Sequence, residues 1–267
     1  MAFNVENLVV DHVLRVTKFD NETGDVEFTA DQVENPSLEC GGEQVIAADS
    51  LGAPIATFDR SKTSKFSAET SVISLGLLAA QVGSEKEAAT ADAKIKTPKF
   101  EIVTVGAPAS KITLSEVPVG VAGAEVKSIY LLNKDRSISQ KFEVGADAEH
   151  NFSVTAADKT ITLPTGAEIV SGDRIAVWYE YESENAVRVV NSGNKFTTSG
   201  RFDVEVLFAD VCNENVKYYG HIIFPKAKLD SNFTQTLTTD GKQGFSFSGM
   251  SDYCDEDKTQ FYYVIPQ

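Results

Sequence analysis

The chain has 267 residues, of which 39 are Asp or Glu and 24 are Lys or Arg, so its formal net charge is -15. Hydrophobic residues make up 42%, with 16 Phe and 8 Tyr, which excludes an intrinsically disordered chain because disordered sequences combine charge with few aromatic residues. The acidic balance also disfavours tight wrapping of nucleic acid and adhesion to anionic membranes, since both need basic surfaces. At about 150 residues per domain, the length predicts one large or two modest domains.

The first strands of the chain are indicated by alternating apolar and polar residues. The stretch from Val9 to Phe19 alternates, residues 21–24 supply a turn, and Asp25 to Ala30 continues as a second strand, which together predict a hairpin. Gly and Pro residues punctuate the next stretch, 31–58. We expect an extended loop there, interrupted by short strands such as Gln44 to Ala47.

A short helix is predicted after a strand at Thr63 to Ala68. Apolar residues recur there at spacings of three and four, which is typical of a helix that packs one face on a sheet. These residues are Val72, Leu75, Leu78, Ala79 and Val82. We expect Thr70 or Ser71 as the N-cap and Gly83 as the residue just past the C-terminus of the helix.

The middle of the chain differs from the first part in composition and in the length of its predicted strands. Residues 85–98 are rich in Ala, Lys, Glu and Thr without strong periodicity, which indicates a linker or an irregular connection. Beyond them, short strands recur about every ten residues between Gly, Pro, Asn and Asp, a spacing typical of a small antiparallel sandwich or barrel. The predicted strands are Lys99–Val105, Lys111–Leu114, Ser128–Leu132, Lys141–Val144, Asn151–Val154, Thr160–Leu163 and Arg174–Tyr181. We assign residues 99–190 to an all-β insertion domain.

Longer strands return in the last third. They are predicted at Thr197–Ala209, Lys217–Phe224, Phe233–Thr239 and, after an Asp-Gly turn, Phe245–Ser248. The predicted fold class is therefore mainly β. It consists of a discontinuous β-sandwich domain of residues 1–98 and 191–267 with one short α-helix, interrupted by the all-β insertion.

The sequence does not indicate a membrane-spanning helix or an export signal. The longest apolar stretch, Val72 to Val82, is interrupted by polar residues and is shorter than the roughly 20 residues that a membrane helix needs. The first ten residues contain no Lys or Arg and so lack the positive region of a secretory signal. The sequence predicts no membrane partner and a protein that stays in the cytosol where it is made.

The sequence contains none of the common motifs for catalysis or cofactor binding. The three His are not paired with Cys or carboxylates at metal-ligand spacings, and no GxSxG, HExxH, P-loop or GxGxxG motif occurs. The acidic cluster Asp252, Asp255, Glu256 and Asp257 lacks the order and central Gly of a calcium loop, so a solvated turn is predicted. We expect no enzyme activity, no cofactor and no metal.

Cysteine usage is consistent with a reducing compartment. Three Cys is an odd count that cannot close a full disulfide framework, so reduced thiols are predicted. Whether Cys212 and Cys254 lie on neighbouring strands stays open at this point.

One run of sequence carries a family resemblance. Residues Gly220 to Cys254, GHIIFPKAKLDSNFTQTLTTDGKQGFSFSGMSDYC, resemble the C-terminal part of tail tube (major tail) proteins of long-tailed bacteriophages. The run consists of a strand ending in Phe-Pro, an Ala-Lys-Leu step, a Thr-rich strand, a Thr-Asp-Gly turn and an aromatic strand. The front half is similar too, with its hairpin, its extended loop, the segment FDRSKTSKFSAETS at Phe58 to Ser71 and its short helix. The resemblance covers residues 1–98 and 191–267, and the middle segment is similar to β insertions of some relatives.

The resemblance implies a structural protein of the virion tail that is assembled in the host cytoplasm. Its copies would associate with one another in rings, commonly hexameric, which stack helically into a tube alongside other tail proteins. Genomic DNA would pass through the lumen without specific binding. Two physical arguments agree with this implication. A heterologous interface that does not close produces a filament, and carboxylates lining a lumen would repel phosphate over a Debye length of about 8–10 Å.

These expectations give candidate residues. The strands within 9–30 and 197–239 are expected to supply the lumen wall, with Glu27, Asp203 and Glu205 as candidate lumen-facing acidic residues. The loop 31–58 is expected to contact the adjacent ring, and the insertion 99–190 is expected to lie on the outside of the tube.

Two alternatives remain at this stage. The first is an extracellular β-sandwich binding module, for example for carbohydrate, which would present exposed aromatic residues such as Trp178, Tyr179 and Tyr181. Alternation in this strand instead predicts that Trp178 or Tyr179 packs in a small core, and the missing export signal weighs against secretion. The second alternative is another virion component, such as a capsid decoration protein or the tube of a contractile particle.

Overall fold

The computed structural model describes residues 7–211 and 215–266. The chain forms two compact units. We call Met1–Lys86 together with Val189–Gln267 the discontinuous unit, and Glu87–Arg188 the inserted unit. The elements in chain order are β1 (Leu8–Asp20), β2 (Val26–Ala30), β3 (Val33–Ala48), β4 (Pro54–Thr70), α1 (Leu75–Val82), β5 (Glu87–Ala88), β6 (Ile95–Thr104), β7 (Lys111–Thr113), β8 (Ser128–Leu132), β9 (Ile138–Glu143), β10 (Ser153–Thr155), β11 (Thr160–Thr162), β12 (Arg174–Ser183), β13 (Val187–Arg188), β14 (Ser199–Asp210), β15 (Lys217–Leu229), β16 (Gln243–Gly249) and β17 (Tyr262–Val264). The predicted mainly-β fold class with one short α-helix is confirmed.

The discontinuous unit is built on one large antiparallel sheet. Its strand order is β2-β1-β14-β15-β16-β4-β3, and β17 pairs with β15. The alternation of β14 sends Phe202, Val204 and Val206 into the core, where each is 2% exposed or less. Phe247 on β16 lies at the centre of this core, with its ring centroid 4.0 Å from that of Phe202 and 5.1 Å from that of Phe66. Aromatic rings from strands far apart in sequence therefore hold the sheet together.

Helix α1 packs against this core. Leu77 is fully buried and belongs to the same apolar cluster as the phenylalanines. The helix is also fixed by polar groups, because the buried Gln243 amide donates to the side-chain oxygen of Gln81 at 2.9 Å and Gln81 donates to the Gly244 carbonyl at 2.9 Å. The Gln243 side-chain oxygen accepts from the Ser74 amide at 3.1 Å, so both buried amides have hydrogen-bond partners, as buried polar groups must.

The two ends of α1 compare differently with the sequence prediction. The C-terminal prediction is confirmed, since Gly83 adopts the left-handed conformation at φ 67°. The N-terminal prediction of Thr70 or Ser71 is wrong: Ser74 caps the helix and its hydroxyl accepts from the Leu77 amide. The hydroxyl of Thr70 instead accepts from the Val72 amide, in a turn that ends β4.

The extended loop predicted for residues 31–58 is wrong. This stretch forms most of a long hairpin, in which β3 pairs with β4 from Val33↔Thr70 to Ala48↔Pro54. The Gly and Pro residues that suggested a loop are tolerated because β3 is at the edge of the sheet, and the ladder shifts register near Pro36 and after Gly42. At the tip, the Asp49 carboxylate accepts from the backbone amides of Leu51 and Ala53.

Two other segments also differ from the prediction. The linker predicted at 85–98 contains β5 and the start of β6. The strand predicted at Phe233–Thr239 is wrong, and this segment makes one isolated bridge, between Gln235 and Gln243. Strand β16 already pairs with β15 on one side and β4 on the other, so little free edge remains for a further strand.

The inserted unit contains two small sheets around a separate core. Their strand orders are β6-β12-β8-β9 and β10-β11-β7. The core is centred on fully buried residues such as Ile129, Phe152 and Ile175. The short strands β5 and β13 pair where the chain enters and leaves the unit, and Arg188 binds Glu87 there at 2.6 Å.

Tyr179 on β12 packs in this core and is 5% exposed. This confirms the prediction from alternation that Trp178 or Tyr179 is a core residue. The Tyr179 hydroxyl donates to Glu101 at 2.9 Å. Burial raises the pKa of Tyr179 above its ordinary value. Burial also disfavours the ionised form of Glu101, but hydrogen bonds from Ser115 and Tyr179 outweigh that effect and its pKa is lowered.

Candidate assembly surfaces

Two of the three candidate lumen residues lie on one face of the large sheet. Asp203 and Glu205 alternate with the core residues of β14 and so point to the opposite face, which we call the polar face. Its members on three adjacent strands are Arg15 and Thr17 on β1, Asp203 and Glu205 on β14, and His221 on β15. They are cross-strand partners in the pairs Arg15↔Glu205, Thr17↔Asp203 and Glu205↔His221.

The carboxylates of the polar face are paired with basic groups. Glu205 binds the Arg15 guanidinium at 2.8 Å, and Asp203 hydrogen-bonds the Nδ1 atom of His221 at 2.9 Å. Both carboxylates are therefore engaged by neighbouring side chains within the single chain. Whether the polar face lines a lumen stays a prediction.

A similar pair lies near one end of the same strands. Asp11 on β1 binds Lys217 on β15 at 2.8 Å. The hydrogen bond from Lys217 lowers the pKa of Asp11 below its ordinary value. Acidic residues on this part of the sheet are thus balanced locally.

The third candidate, Glu27, does not join the polar face. Its carboxylate binds the Nζ atom of Lys18 at 2.6 Å, and the Lys18 side chain has no exposed surface. Thr198 accepts a second hydrogen bond from the same ammonium at 2.9 Å. Glu27 also lines a cavity of about 440 Å³ together with Gly76, Ala79 and other residues of α1. It therefore lies on the helix side of the sheet and is the counter-ion of a buried lysine.

The sequence does contain a signal for this pair. Lys18 follows Val16 by two residues, so alternation assigns both side chains to the same face of β1. Val16 is fully buried. A lysine on a buried face needs an acidic partner, and the next strand supplies one.

The distal part of the β3–β4 hairpin is exposed on both of its strands. Strand β16 pairs with β4 between Lys65 and Thr70, and no other described strand extends this pairing towards the tip. Every residue from 39 to 63 is exposed. We call residues 39–63 the arm.

The arm carries apolar side chains on an otherwise polar ribbon. Its exposed apolar residues are Val45 at 37%, Ile46 at 59%, Leu51 at 92%, Ile55 at 69% and Phe58 at 53%. Val45 and Phe58 are cross-strand partners, and nearby the Gln44 amide donates to Asp59 at 2.8 Å. An isolated two-stranded ribbon is only marginally stable in water, and a cluster of exposed apolar residues is typical of an interaction site.

The acidic cluster near the C-terminus forms turns. Asp252 accepts from the Cys254 amide and Asp255 from the Thr259 amide, and these hydrogen bonds lower the pKa of both carboxyl groups. In the two described stretches of chain there is no group of three or more His, Cys, Asp or Glu side chains that could hold a metal ion. Cys40 and Cys254 are free and exposed, whereas Cys212 lies outside the described residues.

The chain matches the model of one known protein family. The model of the YomU/Tube protein family matches residues 8–264, which include both units. None of the curated proteins searched matches the chain. In the part of the chain that the structure describes, no helix has the length and apolar character needed to cross a membrane.

Proposed function

Since the chain belongs to the YomU/Tube protein family, whose name confirms the resemblance to phage tail tube proteins, we propose that its copies assemble into stacked rings that form the tube. The tube would conduct DNA during ejection. The observation that carries this proposal is the arm, because an isolated chain gains nothing from five apolar side chains in water at the end of an unsupported ribbon.

The arm offers enough apolar surface to hold two subunits together. The exposed fractions of its five apolar residues correspond to roughly three fully exposed side chains. Burying them would contribute about 5–9 kcal/mol per arm before the cost of association, at about 1.5–3 kcal/mol for each side chain. In a ring, several arms would act together and raise the effective affinity further.

The placement of the arm also favours an open assembly. The arm belongs to one end of the sheet, at β3 and β4, and in this proposal it contacts a different surface of the next subunit. Such a heterologous contact does not close on itself and continues along an axis. We assign the contact between successive rings to the arm. Six subunits per ring, contacts with other tail proteins and assembly in the host cytoplasm are further parts of the proposal, which follow from the resemblance to tail tube proteins.

The polar face is our candidate for the lumen wall. Arg15 is engaged by Glu205, so its charge is already compensated, and no unpaired cation among these residues offers a site for phosphate. A wall of this kind would let DNA slide without specific binding, since tight binding requires released counter-ions from many basic contacts. The inserted unit would lie outside the tube.

The arm can be tested by a single substitution with a matched control. Leu51→Asp places a charge at the most exposed apolar position of the arm, and Val121→Asp does the same at a 76% exposed position of the inserted unit. Negative-stain electron microscopy and sedimentation velocity are expected to show tubes or stacked rings for the wild type and for Val121→Asp. Leu51→Asp should give monomers or single rings. Tubes of normal length from Leu51→Asp would contradict the role of the arm.

A further inference from the structure

An exposed aromatic cluster lies on the outer face of the four-stranded sheet of the inserted unit. Phe100 on β6 and Trp178 on β12 are cross-strand partners, with ring centroids 4.5 Å apart. Tyr130 on β8 meets Trp178 edge-on at 5.4 Å. Phe100 and Trp178 are each 50% exposed, and Ile102 beside them is 38% exposed.

The fold of the inserted unit does not require these rings. Its core is filled by the alternate positions of β12, where Ile175, Val177 and Tyr179 are buried. Trp178 is the only Trp of the whole chain, and it lies on the solvent side of a sheet whose other side is already packed. Exposed aromatic residues that contact one another in this way are typical of binding surfaces.

A shallow cleft runs beside the rings. Its volume is about 380 Å³, and it is lined by Pro98, Lys99, Phe100, Trp178, Tyr179 and Glu180. The volume lies at the lower end of the range for small-molecule sites. The lining is apolar apart from Glu180, which is exposed, and Lys99, whose ammonium is engaged by Glu116 at 3.5 Å.

We propose that this cleft binds carbohydrate. The C–H face of a pyranose ring would stack on Trp178 and Phe100, and a sugar hydroxyl would donate a hydrogen bond to the Glu180 carboxylate. The proposal goes beyond the tube function and does not depend on it. It gives the inserted unit a ligand of its own.

The size and charge of the surface favour a neutral sugar over other occupants. Half-exposed Phe100 and Trp178 offer roughly 200 Å² of ring surface, far below the roughly 800 Å² per partner of a stable protein interface. Glu180 and the neighbouring Glu182 would repel phosphate and other anions.

The single tryptophan makes the test specific for this site. The intrinsic fluorescence of the full chain reports Trp178 alone, so stacking of a sugar should change its emission. The probes are three neutral hexasaccharides, of β1,4-linked glucose, α1,4-linked glucose and β1,4-linked N-acetylglucosamine. We expect a saturable change with at least one of them. No change with any of the three up to about 10 mM, a concentration that would saturate even a weak site, would overturn the proposal.

Variants then locate the site. Phe100→Ala keeps the fluorescent reporter and should weaken binding about fivefold, as expected for loss of one stacking ring. Phe196→Ala removes a 71% exposed Phe of the discontinuous unit and should leave binding unchanged. If Phe100→Ala does not fold, Glu180→Ala at an exposed position replaces it and should also weaken binding.

Two other results would refute carbohydrate binding. One is an emission shift that grows with protein concentration without sugar, which would mean that the cluster contacts a second copy. The other is a saturable response to a proline-rich peptide with none to the sugars. Binding that both Phe100→Ala and Glu180→Ala leave intact would also overturn the assignment to this cleft.

Discussion

The buried Lys18 predicts what happens when its counter-ion is removed. In Glu27→Gln, the ammonium keeps a hydrogen-bond acceptor at position 27 and the Thr198 hydroxyl at 2.9 Å, but it loses the carboxylate that it contacts at 2.6 Å. Removing one partner of a buried ion pair costs about 3–5 kcal/mol because the remaining charge stays buried without compensation. Glu27 itself is 25% exposed, so water compensates part of the loss. We expect a decrease of about 2–3 kcal/mol in the free energy of unfolding.

The assay must report the discontinuous unit. Tryptophan fluorescence does not, since Trp178 belongs to the inserted unit. Urea unfolding followed by far-ultraviolet circular dichroism, combined with amide hydrogen exchange in β1 and β2, measures the relevant region. The matched control is Glu205→Gln, which breaks the pair with Arg15. Both partners of that pair are partly exposed, at 31% and 53%, so the expected cost is about 0.5 kcal/mol or less.

A second variant separates charge from packing. The double variant Lys18→Met and Glu27→Leu removes both charges and keeps apolar volume, so it should recover most of the stability that Glu27→Gln loses. Equal stabilities of Glu27→Gln and Glu205→Gln would refute the reasoning, because Glu27 would then behave as an ordinary surface carboxylate. A large loss in Glu27→Gln that the double variant fails to recover would show that packing, not charge, dominates at this position.

Two further predictions concern pH and the end of α1. Because the pKa of Glu101 is lowered in the folded chain, its contribution to stability is present above the ordinary glutamate pKa of about 4.3 and is lost as the pH falls through the folded pKa. The urea midpoint reported by tryptophan fluorescence should therefore fall on acidification below about pH 4 more steeply in the wild type than in Glu101→Gln. Gly83→Ala should destabilise the discontinuous unit by about 2–4 kcal/mol in thermal unfolding, since a Cβ at this left-handed residue would collide with the Phe196 backbone. Gly42→Ala, where a Cβ meets nothing, is the control and should change stability little.

Local alternation predicted which residues of a strand share a face, but not what they contact. On β14, the separation of buried Phe202 and Val204 from Asp203 and Glu205 follows from the period of two. The partner of Glu205 cannot be predicted from alternation, because Arg15 lies 190 residues away in sequence. The two residues are neighbours only because of the register of β1 with β14. A shift of one residue would have exchanged the two faces. For the same reason, alternation could not show that Glu27 lies on the opposite side of the sheet from Asp203 and Glu205.

The long hairpin was missed for a related reason. Gly and Pro are local indicators of loops, yet Pro36, Gly41 and Gly42 lie within β3. They are compatible with a strand there because one side of an edge strand needs no hydrogen-bond partner, and only the pairing of β3 with β4 makes the segment a strand. The opposite error occurred at Phe233–Thr239, where the pattern of a strand is present but neighbouring strands already occupy the available edge.

The electrostatics of the polar face bear on how a lumen could conduct DNA. A wall of unpaired carboxylates would repel phosphate, but it would also repel the same residues of neighbouring subunits and oppose ring formation. Pairing Glu205 with Arg15 compensates one of these charges, and the hydrogen bond between Asp203 and His221 engages a second carboxylate, while Arg15 is not left as a free cation that could hold phosphate. DNA can slide if the wall neither attracts nor repels its phosphates strongly. Compensated pairs meet this requirement, and they also reduce the repulsion between neighbouring subunits that would oppose ring formation. In a lumen lined by the polar face, Glu205 would then contribute little repulsion of DNA, because its charge is compensated by Arg15.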